Sequence, residues 1–196
     1  MAQAKRGART REDIVGAATR LFALHGYFNT SLNDILEAAS ISKGAFYHHF
    51  HRKKELALAA LQRLQADYEQ ELFEPVRVEA EPDQRWRLML KKIVALNQSG
   101  QWDHCLMLAR LAQETARQEG LFPEQVAQAL NRLIDFWREL IVDAQTAGAV
   151  RDDLDAPILA ELIVTTLLGA VGCREINDRP VQLDKITEHL TLLISR

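Results

Sequence analysis

The chain has 196 residues, 47% of them apolar and 26% charged, values of an ordinary globular protein that exclude general disorder. Its net charge of −3 hides a division: residues 1–60 carry nine Lys/Arg against five Asp/Glu, and residues 61–196 carry fifteen against twenty-two, the pattern of a basic, anion-binding head on an acidic body. Two cysteines without CxxC or Cys/His spacing argue against zinc and against a disulfide framework, the first residues lead into no apolar run, and the most apolar stretch, 158–173, contains Glu161 and falls short of a membrane span; a reduced, cytoplasmic chain with no membrane contact is expected.

Apolar residues recur at three- and four-residue spacing almost throughout, so the expected fold is all-α with about nine helices. The first spans residues 11–25 and buries Ile14, Ala17, Ala18, Leu21 and Phe22, with Gly26 placed to end it in the left-handed conformation. The second starts near Ser31, where Ser31 and Asp34 form a capping-box pattern, and buries Leu32, Ile35, Leu36 and Ala39. Ser40-Ile41 is a tight break, and Ser42 caps a short third helix over 43–50. A fourth runs from 52–54 to 73. Pro75 and Pro82 bracket a charged loop over 76–81. The fifth spans 83–97, the sixth 103–118 with Gly120 closing it, and the seventh 124–147 with Gly148 ending it. Asp155 caps an eighth that reaches 173, and the ninth covers 181–195.

The sharpest feature is residues 32–50: helix, short turn, short helix, the geometry of a helix-turn-helix whose second helix enters the DNA major groove. Ala39 is small where the helices cross, Ile41 plugs the turn, and Gly44 leaves room for close backbone approach. Phe46 and Phe50 anchor the short helix from inside, while Lys43, Tyr47, His48 and His49 offer donors outward. Packing roles for Tyr47 and His49 stay open. The clustered His48, His49 and His51 point in different directions around a helix, so no metal is expected.

This pattern resembles the TetR family of transcriptional regulators. The resemblance rests on Thr30-Ser31-Leu32, Asp34-Ile35, Ala39-Ser40-Ile41-Ser42, Gly44, Tyr47, His49-Phe50 and Lys54-Glu55-Leu56, with Ala17-Ala18, Leu21-Phe22 and Gly26 upstream. It departs from the family at Leu36, usually Ala, and at Ser40, usually Gly. The resemblance implies that Tyr47 and Lys54 contact phosphates, that Ser31 and Ser42 help present backbone N–H groups to phosphates, and that Lys43, Ala45 and His48 reach base edges. It implies a flexible basic arm over 1–9, a DNA-binding head over 10–52 (the match extends to about 70), and an effector-binding and dimerisation domain over 53–196. The basic arm has two readings, reaching along DNA or a disordered tail.

In such a body the expected effector-site residues are Trp86, Met89, Trp102, His104, Cys105, Met107, Phe136, Trp137 and Arg174, which combine aromatic surface with a few polar handles. Cys105 lies in the first turn of a helix, which favours the thiolate, and the segment around it weakly resembles the electrophile-sensing branch of the family; a buried, inert thiol is the competing reading. Cys173 is expected in the core. Helix eight is apolar nearly all round, and helix nine spaces Leu183, Ile186, Leu190 and Leu193 as a bundle seam. A homodimer through these residues with Leu167 and Leu168 is therefore expected, an intrachain core being the alternative. The sequence thus describes a non-enzymatic, cofactor-free repressor, homodimeric, released from a palindromic operator in double-stranded DNA by a small-molecule effector. The competing functions are an effector-independent or cysteine-modified regulator and a nonspecific DNA-binding protein.

Overall fold

The computed structural model describes residues 2–79, 81–99, 103–115, 122–176 and 181–196, and every named element among them is helical. In chain order these are α1 (Ala2–Asn29), α2 (Leu32–Ala38), α3 (Lys43–His49), α4 (Lys53–Asp67), a π-helical segment (Tyr68–Phe73), α5 (Glu74–Glu79), α6 (Arg85–Ser99), α7 (Asp103–Thr115), α8 (Pro123–Thr146), α9 (Ala156–Ile176) and α10 (Leu183–Ile194). The expected closure of helix six at Gly120 lies outside the described residues.

Two expectations are corrected here. The stretch expected to be a flexible arm is helical from Ala2, as the first part of α1. The charged loop expected over 76–81 is largely α5. Pro75 cannot donate to a helical ladder, and its ring presses on the carbonyl one turn back; the wider π turn directly before it takes up that mismatch and lets the helix continue.

Local signals set the other boundaries. Gly26 has the expected positive φ of 82°, but its ψ of 168° kinks α1, which resumes to Asn29. The α2–α3 turn closes with Ser40 N–H donating to Glu37 C=O at 3.0 Å and Ile41 N–H to Leu36 C=O at 3.0 Å, the paired bonds of a Schellman motif. Gly148, at φ 75°, ends α8 by the same pair of bonds, to Gln145 and Ala144. Asp155 Oδ1 accepts the Ile158 N–H at 2.9 Å to start α9.

The chain divides into two compact units that are not consecutive in sequence: Met1–Gln65 with Asp103–Ala127, and Ala66–Trp102 with Gln128–Arg196. In the first, Ile14, Phe22, Ile35, Phe46, Leu56 and Leu64 are fully buried, and α7 lies along α1, adding Met107, Leu108 and Leu111 to that core. In the second, α10 packs on α6, and Trp86, Met89, Phe136, Trp137 and Ile163 are buried. Phe73 stacks on Phe136 with centroids 4.0 Å apart. The Arg77 guanidinium covers the Phe136 ring at 4.9 Å while pairing with Glu69 at 2.6 Å, Glu74 at 3.2 Å and Glu139 at 3.5 Å.

The seam expected on the last helices is split. Leu183, Leu190 and Leu167 are buried within the chain's own second unit, and Ile186 and Leu168 are half-buried. Three-and-four spacing serves a core stripe and an interface stripe equally, and here the core took Leu183, Thr187, Leu190 and Ile194. Of the expected set, Leu193 is exposed at 66%, and it is joined outside by Leu192, Ile158 and Leu162. Cys173, expected in the core, is exposed.

Candidate functional site

The candidate site is the α2–turn–α3 motif and the ends of α1 and α4 that hold it. Ser31 Oγ accepts the Asp34 N–H at 3.2 Å, and Asp34 Oδ2 accepts the Ser31 N–H at 2.7 Å, the reciprocal capping box read from the sequence. These bonds from Ser31 hold the Asp34 carboxyl below the usual carboxylate range. Ser42 Oγ accepts the Ala45 N–H at 3.2 Å and starts α3 in the same manner.

Helix α3 is turned as its residue types require. Phe46 and Phe50 are buried with ring centroids 5.9 Å apart, and Ala45 and His49 are half-buried. Lys43, Gly44, Tyr47 and His48 face solvent, Tyr47 lying edge-on against Phe46 at 5.4 Å. A Cβ at Gly44 would meet only Ser42 Oγ, at 3.9 Å, so no backbone of this chain needs the space that Gly44 leaves. From α1, Arg11 stacks its guanidinium over Phe50 at 5.1 Å. His49, edge-on to His48 at 5.0 Å, has its pKa lowered by burial first, then by the neighbouring His48 and Arg11 charges.

The basic run at the start of α4 divides its work. Lys54 is exposed, whereas Lys53 turns inward and donates to the carbonyls of Tyr27 and Thr30, both at 2.8 Å. Its ammonium lies 4.2 Å from the centre of the Tyr27 ring. Burial pushes the Lys53 pKa down, against the opposing pull of the Glu114 and Asp34 carboxylates. Thr30, itself buried, donates its hydroxyl to Gly26 C=O at 2.7 Å. Lys53 and Thr30 therefore satisfy carbonyls at the end of α1 and fix the elbow from which α2 departs.

The same elbow is held from a distant part of the sequence. Glu114, near the end of α7, accepts the Tyr27 N–H on Oε2 at 2.8 Å, and its carboxylate occupies the space where a side chain at Gly26 would begin. Phe122 meets the Tyr27 ring edge-on at 6.3 Å. Burial and the Glu114 charge raise the Tyr27 pKa. From the sequence, Lys53 belongs to the basic run Arg52-Lys53-Lys54, whose place at a helix start suits a nearby phosphate or else a solvated charge cluster, while Glu114 is not marked out.

The expected effector residues fall in different places. Trp86, Met89, Phe136 and Trp137 are buried in the second unit, and Met107 is buried in the first. Trp102 and the side chains of His104, Cys105 and Arg174 lie outside the described residues. A groove of about 340 Å³ runs between α6 and α10, with Leu90 and Val94 on one wall and Thr187 and Thr191 on the other.

Among the described residues every named element is helical, and a capped helix-turn-helix that turns Lys43, Tyr47 and His48 outward has the arrangement of a DNA-reading head. Residues 14–60 match the family model of bacterial regulatory proteins of the tetR family, and residues 84–190 match the tetracyclin repressor-like C-terminal domain. The chain belongs to the TetR family of transcriptional regulators. It is 24% identical over 180 residues to the HTH-type transcriptional repressor DhaR of Mycobacterium sp. (strain GP1), covering 91% of this chain and 89% of that protein. A TetR regulator from Chloroflexus aurantiacus superposes with a TM-score of 0.84 at 25% identity, over 97% of this chain and 98% of that one. AibR, solved in complex with isovaleryl coenzyme A and operator DNA, superposes with a TM-score of 0.71 at 22% identity, over 93% and 96% of the two chains. Among the described residues no helix is long and apolar enough to cross a membrane.

Proposed function

We propose that the protein is a homodimeric repressor that binds a palindromic operator through α3 and releases it when a small molecule occupies the second unit. The observation that carries this reading is the turn-out of α3, with Phe46 and Phe50 locked inside and Lys43, Tyr47 and His48 outside. Lys43 donates to base edges, Ala45 and His48 complete the base-facing set, and Tyr47, His49 and Lys54 take phosphates, with Ser31 and Ser42 holding the helix starts that point at them. Gly44 leaves its space to the DNA backbone. The head comprises residues 10–52, and residues 53–196 serve effector binding and dimerisation.

A repressor role is supported by the name of DhaR, and the capacity of this fold to hold both a small molecule and operator DNA is supported by the AibR complex. Dimerisation is supported by the apolar residues that α9 and α10 leave outside, Ile158, Leu162, Leu192 and Leu193. Two heads on one two-fold axis read half-sites about 34–36 Å apart or a multiple of it. An effector acts through its differential affinity for two states of the dimer. In chain order α7, whose Glu114 holds the elbow of the head, follows α6 of the second unit.

The test is Lys43→Ala on a selected operator. The expected result is relaxed preference at one base-pair position at a cost of about 1–3 kcal/mol. Equal weakening on every sequence would assign Lys43 to phosphate instead.

A further inference from the structure

The core of the second unit is unusual in what it leaves unmet. Trp86 on α6 and Trp137 on α8 are both fully buried, and neither indole Nε1–H has an acceptor. The indole is a donor only, and a buried donor without a partner carries a desolvation cost that a well-packed core normally avoids. The buried polar side chain described in this unit is Thr187, whose hydroxyl donates to Asp184 C=O at 2.9 Å and accepts from neither indole. Arg87 lies over the Trp86 ring at 4.9 Å but is itself exposed and donates to Ser195 Oγ at 3.1 Å. The interior thus holds two hydrogen-bond donors, neither within bonding distance of an acceptor, and no buried charge among the described side chains.

The surroundings suit an occupant. Met89 stands one turn from Trp86 on the buried face of α6, a pliable side chain that repacks around irregular shapes. Phe136, the neighbour of Trp137, stacks on Phe73, and Phe73 is the last residue of the π-helical segment. A π turn is an interruption in the helical ladder that is frequent at functional positions. Soft walls and unmet donors lie in the same unit, which α6 and α8 brace through Arg85 and Asp143 at 3.2 Å.

We propose that the effector site is built on Trp86 and Trp137 and selects a neutral, mainly apolar molecule with hydrogen-bond acceptor oxygens, such as a ketone or an ester, over acids and amines. The inference rests on the effector reading above and names the chemistry of that site. A carboxylate entering this core would lose its hydration with no buried cation to replace it, and an ammonium would meet no buried carboxylate among the described side chains. A carbonyl oxygen meets an indole N–H and brings no charge.

The experiment uses the full-length protein and matched probes on common carbon skeletons: butyrophenone as ketone, butylbenzene as hydrocarbon, 4-phenylbutyrate as acid and 4-phenylbutylamine as amine, with homologous sets of larger skeletons. Thermal shift ranks binding, and the indole N–H signals, assigned through Trp→Phe variants, report on the two donors. The expected result is stabilisation concentrated in the ketones, with the Trp86 and Trp137 N–H signals of the wild-type protein moving downfield. Trp86→Phe and Trp137→Phe should each weaken ketone binding about tenfold, or about 1.4 kcal/mol. Preferential binding of the acids or amines would overturn the proposal, as would ketone binding that leaves both N–H signals unmoved. Binding by no member of any set, by a protein that still binds its operator, would overturn the effector reading itself.

Discussion

Glu114 accepts the backbone N–H of Tyr27 at 2.8 Å, joining α7 to the kink of α1 across 87 residues of sequence. The bond meets the one stretch of α1 where Gly26 has broken the helical ladder, at φ 82°. Glu114→Ala leaves a part-buried donor unmet, at a cost of about 1–3 kcal/mol. Chemical denaturation should show that loss, and anisotropy titrations should show weaker operator binding, since the elbow also carries the Thr30 and Lys53 bonds. Glu114→Gln keeps an acceptor and should recover most of both.

Gly26→Ala meets two obstacles at once. Its Cβ would clash with the Glu114 carboxylate, and the backbone conformation disfavours any L side chain. The expected cost is about 1–3 kcal/mol. In the Glu114→Ala background the steric part should disappear, and a double-mutant cycle would read the difference.

Ser40 sits in the α2–α3 turn at φ 53°, where a residue without a Cβ is at ease. Ser40→Gly should stabilise the head by about 1 kcal/mol, read as a rise in the denaturation midpoint. The sequence comparison with the family already singles out this position, and the dihedral supplies the reason.

Lys53 and Lys54 are adjacent and should behave differently. Lys54→Ala should weaken binding to all DNA sequences and reduce the salt slope by about one. Lys53→Ala should chiefly lower stability, because it empties the two carbonyl contacts at Tyr27 and Thr30. An unchanged salt slope in Lys54→Ala would remove it from the phosphate set.

His49 gives the head a pH dependence of known sign. Its folded pKa lies below the ordinary histidine value, so the unfolded chain binds the proton more readily. Stability should therefore rise with pH through the folded and unfolded pKa values, and be lost as pH falls below about 6.5. His49→Gln should flatten that part of the profile. On a DNA duplex, phosphates favour the protonated ring, so the bound state should shift the transition upward.

How much of this was legible follows from the range of the signals involved. Ser31 with Asp34, Ser42, Gly148 and Asp155 act on residues a few positions away, and each ends or starts its helix as read. Glu114, Lys53 and the Trp86 and Trp137 indoles act across tertiary packing, which periodicity does not encode. Helix nine shows the same limit, since Leu190 and Leu193 share one spacing but one is buried and the other exposed. Pro75 misled because a proline usually marks a break, and the preceding π turn let the helix pass it.

The most direct test is in vitro selection of the full-length protein against random duplexes, followed by salt-dependent titration of the winner. The account predicts a palindromic site, bound by a dimer about 10³–10⁷ times more tightly than unrelated DNA, with Lys43→Ala losing preference at one position in each half-site. Enrichment of no sequence, with equal affinity for every duplex, would contradict it.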